Sequence, residues 1–245
     1  MPPFPPAPAR EPVFNLPACV VVVGGLLVLI QFVRGLISVE MDVEVLTTFA
    51  FIPVRYHLPD LGFFSETGLG PRLWTPVTYA LLHADWMHMG INLVWLVAFG
   101  TPLGRRFGMV RFCLFYAVTA AGGAGMHYLT YSEGLVPLVG ASGAVSGIMA
   151  GAVRFTFAPG GPLSGQRSFG RAEHHPAHSL REGLGDRRVL MFVLLWMGLN
   201  LLFGIGIDMP GMEGAQIAWQ AHIGGFMAGL LLFGLFDPVP RRRRV

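Results

Sequence analysis

Long apolar runs, separated by short polar or glycine-rich stretches, recur along this chain of 245 residues. A bilayer core about 30 Å thick is crossed by roughly 20 helical residues at a rise of about 1.5 Å each. That measure finds six candidate helices, at Ala18 to Ile37, Pro76 to Phe99, Met109 to Leu129, Ser142 to Phe157, Val189 to Ile207 and Ile217 to Phe236. The fourth is short and rich in glycine. The pattern predicts an all-α membrane protein, a six-transmembrane-helix bundle over residues 18–236. A proline-rich tail precedes it at 1–17 and an arginine-rich tail follows at 237–245. Proline has no backbone N–H to donate, so the first tail is expected to be extended. Only Arg10, beside Glu11, precedes the first span, and further spans follow it, so that span is expected to stay in the membrane rather than act as a signal peptide.

Composition agrees with the pattern. Hydrophobic residues make up 53% and charged residues 13%, against about 25% charged in soluble domains, and the mean hydropathy is +0.57. A net charge of +3, dispersed along the chain, argues against a nucleic-acid partner. Cys19 and Cys113 both fall in or beside predicted spans, where thiols act as small hydrophobes rather than as a disulfide framework.

Charge also orients the bundle, because short cytoplasmic loops are enriched in arginine. Arg105, Arg106 and Arg111 separate spans two and three; Arg167, Arg171, Arg181, Arg187 and Arg188 separate four and five; Arg241 to Arg244 follow six. The loop after span one is acidic, with Glu40, Asp42, Glu44, Asp60 and Glu66. Both termini are therefore expected in the cytoplasm, with spans two, four and six entering from the external side.

Within that topology polar side chains gather at one depth. His83 and His88 are expected in the first turns of span two, with Asn92 one turn deeper; Ser142 opens span four and His222 lies near the start of span six. Imidazole and hydroxyl groups are costly in hydrocarbon unless they are paired or used. Gly143, Gly147 and Gly151 form one small-residue ridge, and His222, Gly225 and Gly229 share a face, so spans four and six are able to approach closely. Close approach suits a serine nucleophile hydrogen-bonded to its imidazole base at about 2.6 to 3.2 Å. The same glycines also fit a plain helix-packing motif. His88 and Asn92, four residues apart, bring N–H donors toward the backbone N–H of Ser142, an arrangement for an oxyanion; such donors contribute about 2.7 to 4 kcal/mol each. Asn92 equally fits an interhelical hydrogen bond, and His83 fits a loop-holding role better than direct chemistry.

Three motifs now stand in order: His83-Ala84-Asp85-Trp86-Met87-His88-Met89-Gly90-Ile91-Asn92, Gly140-Ala141-Ser142-Gly143, and Ala221-His222-Ile223-Gly224-Gly225. Together they resemble the rhomboid family of intramembrane serine proteases. The resemblance implies a catalytic dyad of Ser142 and His222 and an oxyanion hole of His88, Asn92 and the Ser142 amide. His83, Gly140 and Gly143 support them. It implies no cofactor and no metal. Its substrates are transmembrane segments of other proteins, reached through the lipid and cut near small, helix-weakening residues, and no motif assigns an oligomeric state. The place implied is a multi-pass position in a bacterial cytoplasmic membrane. Three positions depart from the family pattern. Thr75 follows Trp74 where bacterial members carry arginine; Gly104 replaces a glutamate, although Arg106 and Gly108 match; and Ser146 replaces a tyrosine that stacks on the catalytic imidazole. These departures predict a weakened loop anchor and an imidazole oriented by packing, against Trp219 or Phe226.

The loop after span one carries Phe49, Phe51, Leu58, Leu61, Phe63 and Phe64, broken by Pro53, Pro59 and Gly62, and reads as a flap lying partly in the interface. His174, His175 and His178 lie in a Gly, Ser and Arg-rich linker that lacks a completed metal-ligand set. Two other classes remain open: a catalytically inactive rhomboid-like protein that binds membrane helices, against which the presence of both Ser142 and His222 counts, and a metal-dependent enzyme or proton-coupled transporter, which would use the intramembrane histidines.

Overall fold

The computed structural model describes residues 15–58, 68–165, 172–204 and 218–240. Within them the chain is helical; no strand forms among the described residues, and one isolated antiparallel bridge joins Phe51 to Leu138. The outer parts of both predicted tails, including Arg241 to Arg244, lie outside the described residues, as do Arg167, Arg171 and the stretch 59–67 with Leu61, Phe63 and Phe64.

Helix α1 is Ala18–Arg34, and it stops short of Ile37 at Gly35. Arg34 then turns its guanidinium onto Asp42 in a two-pronged pair at 2.7 and 3.0 Å and donates to the carbonyl of His83 at 2.6 Å. The following segment is partly helical: α2 is Val39–Phe49, capped by the Ser38 hydroxyl, α3 is Val54–His57 and α4 is Gly70–Thr78. Val39, Met41, Val43 and Phe49 of α2 are exposed.

The predicted second span begins ten residues late, at Trp86 rather than Pro76. Asp85 is extended and its carboxylate accepts from His88 N at 2.8 Å, which fixes the helix start and leaves His83 in the preceding coil. A continuous run, Trp86–Thr130, breaks at Gly108, whose φ of 71° suits glycine, so two helices result: α5 at 86–107 and α6 at 109–130. Then follow α7, Ser142–Thr156; α8, Leu180–Gly185, opened by a Ser179–Glu182 capping box; α9, Arg187–Gly204; and α10, Trp219–Phe236.

Helix α7 is the centre. Every residue from Gly143 to Phe155 is buried, enclosed by α5, α6 and α10, while α1 packs on α5. A helix with protein on all sides tolerates a glycine-rich sequence that lipid exposure would not favour. Its ridge meets that of α10 backbone to backbone: a Cβ on Gly225 would stand 1.9 Å from Gly143 O, and one on Gly229 would stand 2.2 Å from Gly147 O.

At the end of the bundle opposite Ser142, two buried arginines tie the helices together. Arg106 pairs with Asp237 at 2.8 and 2.9 Å, donates to the carbonyls of Glu173 and, at 2.8 Å, His175, and lies 4.6 Å over the Phe155 ring. Arg154 donates to Leu230 O at 2.7 Å and to His178 O at 2.8 Å. Gly104 is explained by its neighbour: a Cβ there would lie 2.5 Å from Cys19 Sγ, so α1 occupies the space a glutamate would need. By length and composition, Trp86–Thr130 and Trp219–Phe236 are long and apolar enough to cross a membrane, and Ala18–Arg34 is apolar but shorter.

Candidate active site

Ser142 is the first residue of α7, and no side chain caps that helix start. Its leading N–H groups therefore remain available at the positive end of the helix dipole. The segment before it is pinned from three sides. Leu138 pairs with Phe51 through two backbone hydrogen bonds at 3.2 and 2.8 Å; Gly140 N donates to Tyr79 O at 3.1 Å; Ala141 N donates to His83 Nε2 at 3.2 Å. Gly140 has φ of 118°, and a Cβ on it would lie 2.7 Å from His88 Cε1 and Nε2 and 3.7 Å from Ser142 Oγ. The His88 imidazole and the Ser142 hydroxyl thus flank one small space that only glycine leaves open.

His83 is fully buried, and its bond to Ala141 gives it the loop-holding role. Its ring stands edge-on to His88 with centroids 5.2 Å apart. Asn92 is also buried, and its amide donates to His88 O at 2.9 Å, one helical turn back, which leaves its second N–H for other use. His88, Ser142 and His222 are each half-buried.

His222 occupies the first turns of α10, beside Ala221, whose carbonyl lies 3.3 Å from where a Cβ on Gly143 would be. Backbone contact between α7 and α10 sets Ser142 and His222 on adjoining turns, and His88 lies within electrostatic reach of His222. The expected serine-to-imidazole hydrogen bond is not formed; among the described residues His222 instead bonds through Nδ1 to Asn200 Oδ1 of α9, at 2.6 Å. Resting sites often hold such pairs apart until substrate closes them. Packing alone does not orient the imidazole, contrary to the expectation from Ser146. Trp219 packs against Gly204 and Phe226 stacks on Trp196 at 4.6 Å.

Sequence reasoning missed Asn200, although the cost of a lone amide in an apolar helix was a usable signal. It missed Arg55 as well. That side chain is fully buried and donates to Ala50 O and Thr47 O at the end of α2. Thr75 accepts its place through a 2.7 Å hydrogen bond to the Tyr56 hydroxyl, and Trp74 Nε1 donates to Thr48 O at 2.9 Å. These bonds hold the segment around Thr75 in place of an arginine there. Tyr79, also fully buried, sends its hydroxyl to Ala120 O at 3.0 Å in the gap left by Gly123 and Gly143. Among the described residues no group of three His, Cys, Asp or Glu side chains is placed to hold a metal.

The family model described as Rhomboid domain matches residues 70–237. A rhomboid-like protein 5 of Arabidopsis thaliana is 28% identical over 77% of this chain and 55% of its own length. Two proteins named rhomboid protease GlpG also match. That of Serratia proteamaculans is 28% identical over 66% of this chain and 47% of its own length, and that of Haemophilus influenzae is 25% identical over 70% and 73%. The chain spans about half, or less, of the length of the first curated relatives it matches.

Proposed function

This chain belongs to the rhomboid family of integral membrane proteins, which includes serine proteases, and from that premise we propose that it is an intramembrane serine endopeptidase cutting transmembrane segments of other proteins. The observation that carries the reading is the close packing around the start of α7: Ser142 stands at its uncapped first turn, His88 of α5 lies against Gly140 just before it, and α10, which carries His222, meets α7 backbone to backbone at Gly143. The bundle then crosses the membrane six times with both termini in the cytoplasm, in a bacterial cytoplasmic membrane. The arginines between spans and the outward-facing Leu29, Leu194, Leu195 and Leu231 support that placement.

The reaction follows from the roles of these groups. Ser142 Oγ attacks the scissile carbonyl carbon while His222 Nε2 takes the hydroxyl proton. The oxyanion receives N–H groups from the Ser142 backbone, His88 and Asn92. The tetrahedral intermediate expels the amine, protonated by His222, and leaves an acyl-enzyme. Water, activated by the same imidazole, then releases the acid and restores Ser142.

The test is covalent labelling by a fluorophosphonate, together with cleavage of a transmembrane reporter in liposomes. The native chain is expected to label and cleave, and Ser142→Ala and His222→Ala to do neither. Full cleavage by Ser142→Ala overturns the reading, and a folded native chain that neither labels nor cleaves favours an inactive, helix-binding relative.

A further inference from the structure

One buried polar group of α9 faces the reacting residues yet takes no part in the reaction as written. Asn200 is 7% exposed in the apolar part of α9, and its Oδ1 lies 2.6 Å from His222 Nδ1. Oxygen and nitrogen of an amide are told apart by their partners. Here the partners decide: Nδ2 donates to the Trp196 carbonyl at 2.8 Å, so that end must be the NH2 and the oxygen must face the imidazole. A carbonyl oxygen only accepts, so the imidazole nitrogen opposite it must carry the hydrogen. The neutral ring then holds its hydrogen on Nδ1 and its lone pair on Nε2.

We infer that Asn200 is the positioning residue of His222, holding the imidazole in the form whose Nε2 is free to take the Ser142 proton. The inference rests on the protease reading. It goes beyond the dyad because it assigns to α9 a part in the chemistry, and it answers what replaces an acidic third member. The Trp196 carbonyl fixes the amide and the amide fixes the ring, so the orientation passes from the α9 backbone to α10 across two hydrogen bonds. Stacking of Trp196 on Phe226, 4.6 Å between centroids, holds the same two helices together one turn away. An amide is neutral, so unlike a carboxylate it orients the imidazole without adding charge to favour the imidazolium. Among the described residues the titratable side chain within electrostatic reach of His222 is His88 of α5.

The experiment is the rate of fluorophosphonate labelling of the full chain in detergent, from about pH 5 to 9, with thermal unfolding recorded alongside. Four proteins are compared: native, Ser142→Ala, Asn200→Leu, which keeps the volume without an acceptor, and Asn200→Asp, which restores one. Asn200→Leu is expected to label at least about tenfold more slowly at saturating probe, with the apparent affinity for the probe unchanged. Asn200→Asp is expected to recover labelling with the acidic limb of its profile moved to higher pH, because a carboxylate favours the imidazolium. If Asn200→Leu labels like the native chain while Ser142→Ala does not label, the positioning role is overturned and the protease reading stands. If Ser142→Ala labels like the native chain, the protease reading itself falls. Should Asn200→Leu lose its cooperative unfolding, Asn200→Asp decides: an acidic limb unmoved from the native one overturns the inference.

Discussion

The backbone N–H of Ala141 donates to Nε2 of His83, 3.2 Å away, and joins the coil before α5 to the residue that precedes Ser142. Both groups are buried, so a side chain at position 83 that cannot accept leaves an N–H without a partner, at a cost of about 1–3 kcal/mol. The contact lies one residue before Ser142 and outside the helix-to-helix contacts of the bundle. His83→Leu is therefore expected to remain helical with a modestly lowered Tm, and to label with fluorophosphonate about ten- to a hundredfold more slowly, while His83→Gln, whose amide oxygen accepts, recovers part of the rate. A native labelling rate in His83→Leu would show that the loop needs no such anchor.

The glycine ridges make a second prediction, because the contact between α7 and α10 leaves no room for a methyl group. Gly225→Ala would set its Cβ 1.9 Å from Gly143 O, and the helices must part. Overpacking of this kind costs about 1–3 kcal/mol. It also separates His222 from Ser142, so labelling is expected to fall with stability. Gly125, which has nothing within 4 Å of an added Cβ, is the control. Gly125→Ala is expected to leave Tm unchanged or raise it slightly, since alanine is favoured over glycine in a helix by about 0.8–1 kcal/mol. Equal effects at the two positions would mean that helix propensity, not contact, governs both.

These contacts divide what was legible in the sequence from what was not. Helix positions followed from hydrophobic runs, and the glycine ridges at Gly143, Gly147, Gly225 and Gly229 followed from residue spacing, because both are local properties of one helix. The start of α5 did not. Pro76 and the apolar residues around it continue the hydrophobic pattern, but Asp85 takes the capping position and restarts the helix at Trp86. Long-range anchors were also hidden. Arg55 carried no signal in the sequence and Thr75 read as a missing arginine, yet both are buried, and their side chains bond to Ala50 O and the Tyr56 hydroxyl, contacts that only the folded segment brings together. Asn200 was missed although an amide in an apolar stretch is a usable signal, and which imidazole it meets depends on how α9 lies against α10, which is a tertiary fact.

Far from Ser142, the Arg106–Asp237 pair predicts a change in stability without a change in chemistry. Both side chains are almost fully shielded, with exposures of 0% and 7%. Removing one partner strands the other charge in the interior, which costs about 3–5 kcal/mol. Asp237→Ala is expected to lower Tm in detergent substantially, whereas its labelling rate well below Tm stays native. An unchanged Tm would mean that the carbonyls of Glu173 and His175 and the Phe155 ring suffice to hold Arg106.

At the start of α9 a pH dependence follows from Asp186. Its carboxylate accepts from the Arg188 side chain at 2.8 Å and from the Arg188 backbone N–H at 2.9 Å, and the guanidinium is the main reason its pKa is lowered to about 2. A carboxyl whose folded pKa lies below its ordinary value of about 3.9 stabilises the fold above that ordinary value. The contribution is lost as pH falls from about 4 toward 2. Arg188 is half exposed, so solvent screening keeps the contribution of the pair small. The native chain is accordingly expected to unfold at a slightly higher temperature than Asp186→Asn, by the same margin throughout about pH 5 to 8. The margin should shrink as the pH is taken below about 4, where the carboxyl is protonated first in the unfolded chain and then in the folded one. Thermal unfolding of the two proteins across that range is the measurement. A margin that persisted unchanged at about pH 2 would trace the stabilisation to the shape of the side chain at the helix start rather than to its charge.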